Sequence, residues 1–263
     1  MTEHVNRVYD VIDQQHSHES AATRRQLVAG AAVTLGGMGL LSLPSIASAT
    51  NKSGVNDPQT ILNVAATAEV LATIVNTVGG EQVPLDRVTR RNIRAAAREE
   101  LIHYNVLVSP GFGGKPLTKK IWVPDAVFSS RKDLLETLVV GDQIFINAYL
   151  IATTTFGDAG KGTLARYAAE FMGAEAVHRA LARQSLGRLG NDRVFMKYDQ
   201  VEEANGPGKG MPGFTNVLVA VDQLKAAGFG FGVPGSKAGR FYEFDVVSQR
   251  TPDPRNVNTR TVR

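Results

Sequence analysis

Two segments of the chain repeat one chemical pattern. Glu100-Leu101-Ile102-His103 and Glu175-Ala176-Val177-His178 each set a carboxylate three residues ahead of an imidazole. On a helix, positions i and i+3 share a face. Each segment therefore presents an oxygen and a nitrogen together, a donor set suited to iron, manganese or zinc. Cysteine is absent, which excludes a disulfide framework, a thiol nucleophile and thiolate ligands. Three of the five histidines, His4, His16 and His18, fall near the N-terminus; the other two, His103 and His178, both belong to the repeated pattern.

Two further carboxylates precede these pairs at similar separations. Glu69 lies 31 residues before Glu100 and Asp142 lies 33 before Glu175, the signature of an internal duplication. Each half offers one carboxylate from a first helix and a Glu-x-x-His pair from a second.

Four helices must position these groups. Asp57-Pro58 reads as N-cap and first helical residue, and opens a helix to about Val78 with an inward stripe of Ile61, Ala65, Ala68, Glu69, Ala72 and Val75. Gly79-Gly80 reads as its end. A second helix runs from Leu85 to about Leu107, and the short link makes an antiparallel hairpin. Ser109-Pro110-Gly111 breaks the periodicity, and about twenty residues pass before Ser129-Ser130 caps a third helix, which reaches about Thr155. The turn Gly157-Asp158-Ala159-Gly160 leads to a fourth helix, ending near Leu186 at Gly187 and Gly190. Two hairpins and one long crossover are the connectivity of a ferritin-like bundle.

These residues carry a resemblance. The paired Glu-x-x-His motifs in register with upstream carboxylates make residues 58–190 similar to the ferritin-like superfamily. Asp142, Ala148-Tyr149 and the Gly-rich C-terminal region resemble its secreted desiccation-related group. The resemblance implies an all-α antiparallel four-helix bundle with one long crossover and an irregular C-terminal extension. It also implies two metal ions, iron or manganese, held by Glu69, Glu100, His103, Asp142, Glu175 and His178. Such a centre implies ferroxidase, oxidase or peroxide-consuming chemistry with dioxygen or peroxide; the ligands do not select among them. The other reading is a non-catalytic envelope stress or desiccation-protective protein with a structural metal or none. A storage cage fits the irregular tail less well, and smaller oligomers are left open.

The pattern departs from the family at Asp142, where Glu is expected. Glu136 is nearby, but six residues of helix turn it about 120° from Asp142 and shift it ~9 Å along the axis, so it is expected to face solvent. Glu170 is likewise expected to be solvated. Bland readings stand beside the chemical ones: Glu100 and His103 as a surface pair near Arg94, Arg98 and Glu99, Glu175 and His178 as a core hydrogen bond, Tyr104 and Tyr149 as packing rather than outer partners of the site.

The first 49 residues resemble a twin-arginine export signal. Arg24-Arg25 precede an uncharged stretch from Leu27 to Ile46, and Ala47-Ser48-Ala49 offers a small-x-small cleavage site through Ala47 and Ala49. A retained membrane anchor is the rival. The signal implies the twin-arginine translocase as a partner during export, and a periplasmic, envelope or extracellular location. Residues 50–57 read as a linker, 191–250 as a Gly-rich extension with one helix over 215–227, and 251–263 as a disordered tail. The aromatics of the extension, including Phe195, Tyr198, Phe214, Phe229, Phe231, Phe241, Tyr242 and Phe244, are expected to wrap onto the helices with Trp122. Forty-three per cent hydrophobic residues in 263 suffice for a core, and a net charge of +4 without a basic run gives no sign of nucleic-acid binding. Gly157 to Thr163 mimics a phosphate loop, but Gly162 follows the lysine where Ser or Thr is required. Gly228 to Gly232 lacks the strand and helix of a dinucleotide site.

Overall fold

The computed structural model describes residues 56–191, 194, 196–197 and 211–252. Arg24, Arg25, Ala47 and Ala49 of the expected export signal, with Phe195, Tyr198 and residues 253–263, lie outside them. Residues 56–263 form a unit of their own, mostly helical with a small sheet.

Helix α1 spans Pro58–Gln82, and the Asp57 carboxylate accepts from the amides of Gln59 and Thr60 to cap it. Helix α2 spans Arg87–Leu107, capped in the same way by Asp86. Helix α3 spans Arg131–Asp158 with Ser130 accepting from the amide of Asp133, and α4 spans Gly162–Ser185. Gly187, at φ 75°, ends that last helix in the left-handed conformation that glycine adopts without strain.

Side-chain pairs fix the helix directions. Glu69 of α1 meets Tyr149 of α3, while Asn76 and Asp142 line one cavity. Numbers rise on one helix as they fall on the other, so α1 and α3 run antiparallel. By the same reasoning α2 and α4 are antiparallel, since His103 stacks on Phe171 and Thr89 bonds Ser185. Within the first hairpin, Asn76 faces Glu100 and Gly80 accepts from Arg90.

The Gly79-Gly80 pair does not end α1, which continues to Gln82. Packing explains the difference. An ideal Cβ at Gly79 would lie 2.7 Å from Leu134 Cδ1, so glycine here lets α1 and α3 approach closely, an advantage that outweighs its low helix propensity. Nor is α1 one-sided: every residue from Glu69 to Gly80 is buried. The C-terminal elements cover the face that a simple stripe would leave wet. Helices α1 and α3 are long and apolar enough to cross a membrane by length and composition, but 83% and 72% of their most apolar windows are buried within the protein.

The crossover and the extension are more regular than expected. Residues Lys120–Pro124 of the crossover form β1, followed by a 3-10 turn over Asp125–Phe128. Strands β2 (Met196–Lys197) and β3 (Met211–Pro212) pair in parallel. After α5 (Leu218–Ala226) come β4 (Gly230–Phe231), β5 (Gly239–Glu243) and a short α6 (Phe244–Val247). Strand β1 lies between β4 and β5, antiparallel to both, with Ile121 opposite Phe231 and Tyr242. Ile121 and Val123 are fully buried, whereas Trp122 points the other way, stacks edge-on against Phe241 and donates to the Lys237 carbonyl. Phe214, Phe229, Phe231 and Phe244 are buried in the same core as the helices, as expected of an extension that wraps back. Polar ties pin it: Asn147 donates to the Phe214 carbonyl, and Asn56 bridges the backbone of Thr215 and Val217.

Candidate metal centre

Glu69, Glu100 and Glu175 are at most 1% exposed, and His103, Asp142 and His178 at most 8%. A surface pair for Glu100 and His103 is thereby excluded. Ligand atoms of Glu69, Glu100, His103 and Glu175 all lie within 4.8 Å of one another. His103 Nδ1 is 3.6 Å from Glu69 Oε1, 3.6 Å from Glu100 Oε2 and 3.5 Å from Glu175 Oε1. His178 approaches the same two shared carboxylates from its own side, with Nδ1 3.2 Å from Glu100 Oε1 and 3.5 Å from Glu175 Oε2. Glu100 and Glu175 thus each turn one oxygen to His103 and the other to His178. Asp142 is buried and shares with His178 a cavity of about 20 Å³. Asp142 and His178 both fall outside the four-residue group.

These separations suit donors around a common ion. Two donors each about 2.1 Å from an ion and 90–110° apart lie roughly 3.0–3.4 Å from one another, close to the distances found here. Hydrogen bonding gives the same answer. Glu69 Oε2, Glu100 Oε2, both Glu175 oxygens, Asp142 Oδ2 and the Nδ1 atoms of His103 and His178 are buried without a hydrogen-bond partner. Orphaned polar atoms are costly in a core, and here they converge. The residues therefore fit a bound cation, and Glu69, Glu100, His103 and Glu175 could hold one.

Electrostatics point the same way. Burial pushes Glu69 up to about 7, with His103 opposing and Glu100 reinforcing the rise. Burial, then the charge of Glu175, raises Asp142 well above the carboxylate range. For both imidazoles burial favours the neutral form, but the surrounding carboxylates overcome it, Glu69 foremost at His103 and Glu100 at His178, and hold both well above 6.5. Protons on these groups occupy the place in the charge balance that a divalent cation would take.

Several partners of the ligands are weak or silent in sequence. Tyr149 donates its hydroxyl to Glu69 Oε1, so it is an outer partner as well as a packing residue. Glu99, taken with the solvated face of α2, reaches across to His178 Nε2 at 2.5 Å, leaving Nδ1 to face the carboxylates; that bond holds Glu99 below its usual range. Phe171 stacks on the His103 ring at 4.1 Å. Asn76 donates to the Ala72 carbonyl and, at 3.5 Å, to Glu100 Oε1. Asn76 is seven residues after Glu69 and Tyr149 seven after Asp142, two helical turns along the same face. That spacing was the available signal. Glu99 has none, because it follows from how α2 packs on α4.

Glu136 corrects an expectation. It is buried, not solvated, and accepts from Arg188 Nη2 at 2.8 Å. The turn at Gly187 brings Arg188 back against α3, and an ion pair replaces water. Glu170 is exposed, as expected. Tyr104 packs on Phe244 of the extension.

A scan against protein-family models finds no match, and neither curated proteins nor solved structures yield one.

Proposed function

We propose that this chain is an exported ferritin-like four-helix protein with a dinuclear iron or manganese centre and oxidoreductase activity toward dioxygen or peroxide. One observation carries the reading: each of the two histidines directs Nδ1 at opposite oxygens of the same two buried glutamates. A pair of shared carboxylates flanked by two imidazoles, with Glu69 on one side and Asp142 on the other, supplies donors for two ions rather than one. Antiparallel neighbouring helices and the crossover between α2 and α3 support the ferritin-like arrangement. The residues before Thr50 support export through the twin-arginine translocase.

When bound, such a metal pair supplies one-electron steps at two linked ions, the chemistry needed to reduce dioxygen or peroxide. The chain's own groups hold and tune it. Glu69 is fixed by the Tyr149 hydroxyl, His178 is oriented by Glu99, and Phe171 stacks on the His103 ring. Glu100 and Glu175 spread their negative charge between the two histidine sides.

The His103→Ala and His178→Ala variants separate catalysis from scaffolding. The proposal expects each to remain folded by circular dichroism while ferrous oxidation and peroxide consumption fall by at least tenfold. Loss of the fold in both variants, with no turnover in the parent protein, would favour a structural metal in a protective protein.

A further inference from the structure

A second cavity lies immediately behind the metal ligands and has a different chemistry. Its volume is about 260 Å³, and its wall includes Gly80, Glu81, Arg90, Arg94 and Arg250. The floor is buried, formed by Asn76, Thr77 and Ala97, while Glu81, Arg94 and Arg250 stand exposed at the rim. Three arginines and one glutamate leave two formal positive charges over this cleft.

The three guanidinium groups are not equivalent. Arg250 spends its fork on Glu81, at 3.2 to 3.4 Å. Arg90 donates to the carbonyls of Gly80 and Val83, closing the end of α1. Arg94 makes no hydrogen bond or ion pair among the described residues. Its stem is held against α1, with Cγ 3.5 Å from where a Cβ would stand at Gly80. A free guanidinium on a positioned stem, with two further cations beside it, is a ready partner for a planar or tetrahedral oxyanion.

We infer that this cleft is a binding site for a small oxyanion, a carboxylate or phosphate, with Arg94 as its principal donor and Arg90 and Arg250 supplying field. A cavity of about 260 Å³ has room for a phosphate or a short carboxylic acid with some of its hydration. Asn76 lines the floor and donates to Glu100, so the bound anion and the metal ligands share a wall. The anion site itself does not depend on the metal reading.

Titration calorimetry of the full exported chain with inorganic phosphate, and separately with malonate, at low chloride tests this. The expected result is saturable binding of at least one of the two at millimolar affinity or better, weakened tenfold or more in Arg94→Ala and partly restored in Arg94→Lys. The phosphate and malonate arms tell which oxyanion class the cleft prefers. Arg94 carries no structural contact beyond its stem, so its variants retain the parent melting temperature. Absence of saturable binding for both probes, or binding that Arg94→Ala leaves unchanged, overturns the assignment.

Discussion

Tyr149 is buried, and the charge of Glu69 adds to burial in keeping its phenol protonated. It is therefore a hydroxyl donor to Glu69 at any accessible pH, restraining one oxygen and leaving Oε2 unpartnered. Tyr149→Phe removes that one hydrogen bond and little else. The expected outcome is a folded protein whose affinity for manganese or ferrous ion, measured against a competing chelator, falls between ten- and a hundredfold. Unchanged affinity would reduce Tyr149 to packing. At this scale Glu69, Glu100, His103 and Glu175, which the fold brings into one group, were readable because metal chemistry imposes residue types and helical spacing; Asp142 and His178 lie beside that group. Glu99 and the Arg188 partner of Glu136 were not readable, since each depends on a neighbour brought in by tertiary packing.

Helix α1 shows how an element can carry a misleading local signal. Gly79-Gly80 has the composition of a helix stop, yet it sits where α1 crosses Leu134 of α3. Local propensity lost to a long-range contact. Gly79→Val should destabilise the protein by about 1–3 kcal/mol through overpacking against Leu134, read as a lowered urea midpoint with unchanged slope. A neutral or stabilising effect would mean that helix propensity, not the close approach, dominates there. The starts of α1 and α3 were legible to within a few residues, because Asp57 and Ser130 are strong caps. The strands were not. A five-residue strand such as Lys120–Pro124 has little signal of its own; its partners, Phe231 and the segment around Tyr242, lie more than a hundred residues away.

For the whole molecule, the cluster ties stability to pH. In the metal-free protein, Glu69, His103, Asp142 and His178 all have native proton affinities above their unfolded values. The native state therefore binds more protons than the unfolded state, and stability falls as pH rises. The histidine contribution is complete below about 6.5 and is lost as pH passes through the raised native values. The Glu69 carboxylate begins to cost stability above its ordinary 4.5, increasingly up to about 7. Chelated protein should melt at progressively lower temperature from pH 5 to pH 8, whereas metal-loaded protein should show a flatter profile and release protons on loading. A melting temperature of the chelated protein that rises across this interval would contradict the assigned protonation pattern.

On the proposed reading these buried donors hold two redox metal ions. Elemental analysis of the protein purified from its native host, without added metal, reads the metal content directly. About two iron or manganese ions per chain are expected, with substantial loss in His103→Ala and His178→Ala. Native protein with no stoichiometric metal, and none taken up when ferrous or manganous ion is supplied, would contradict it.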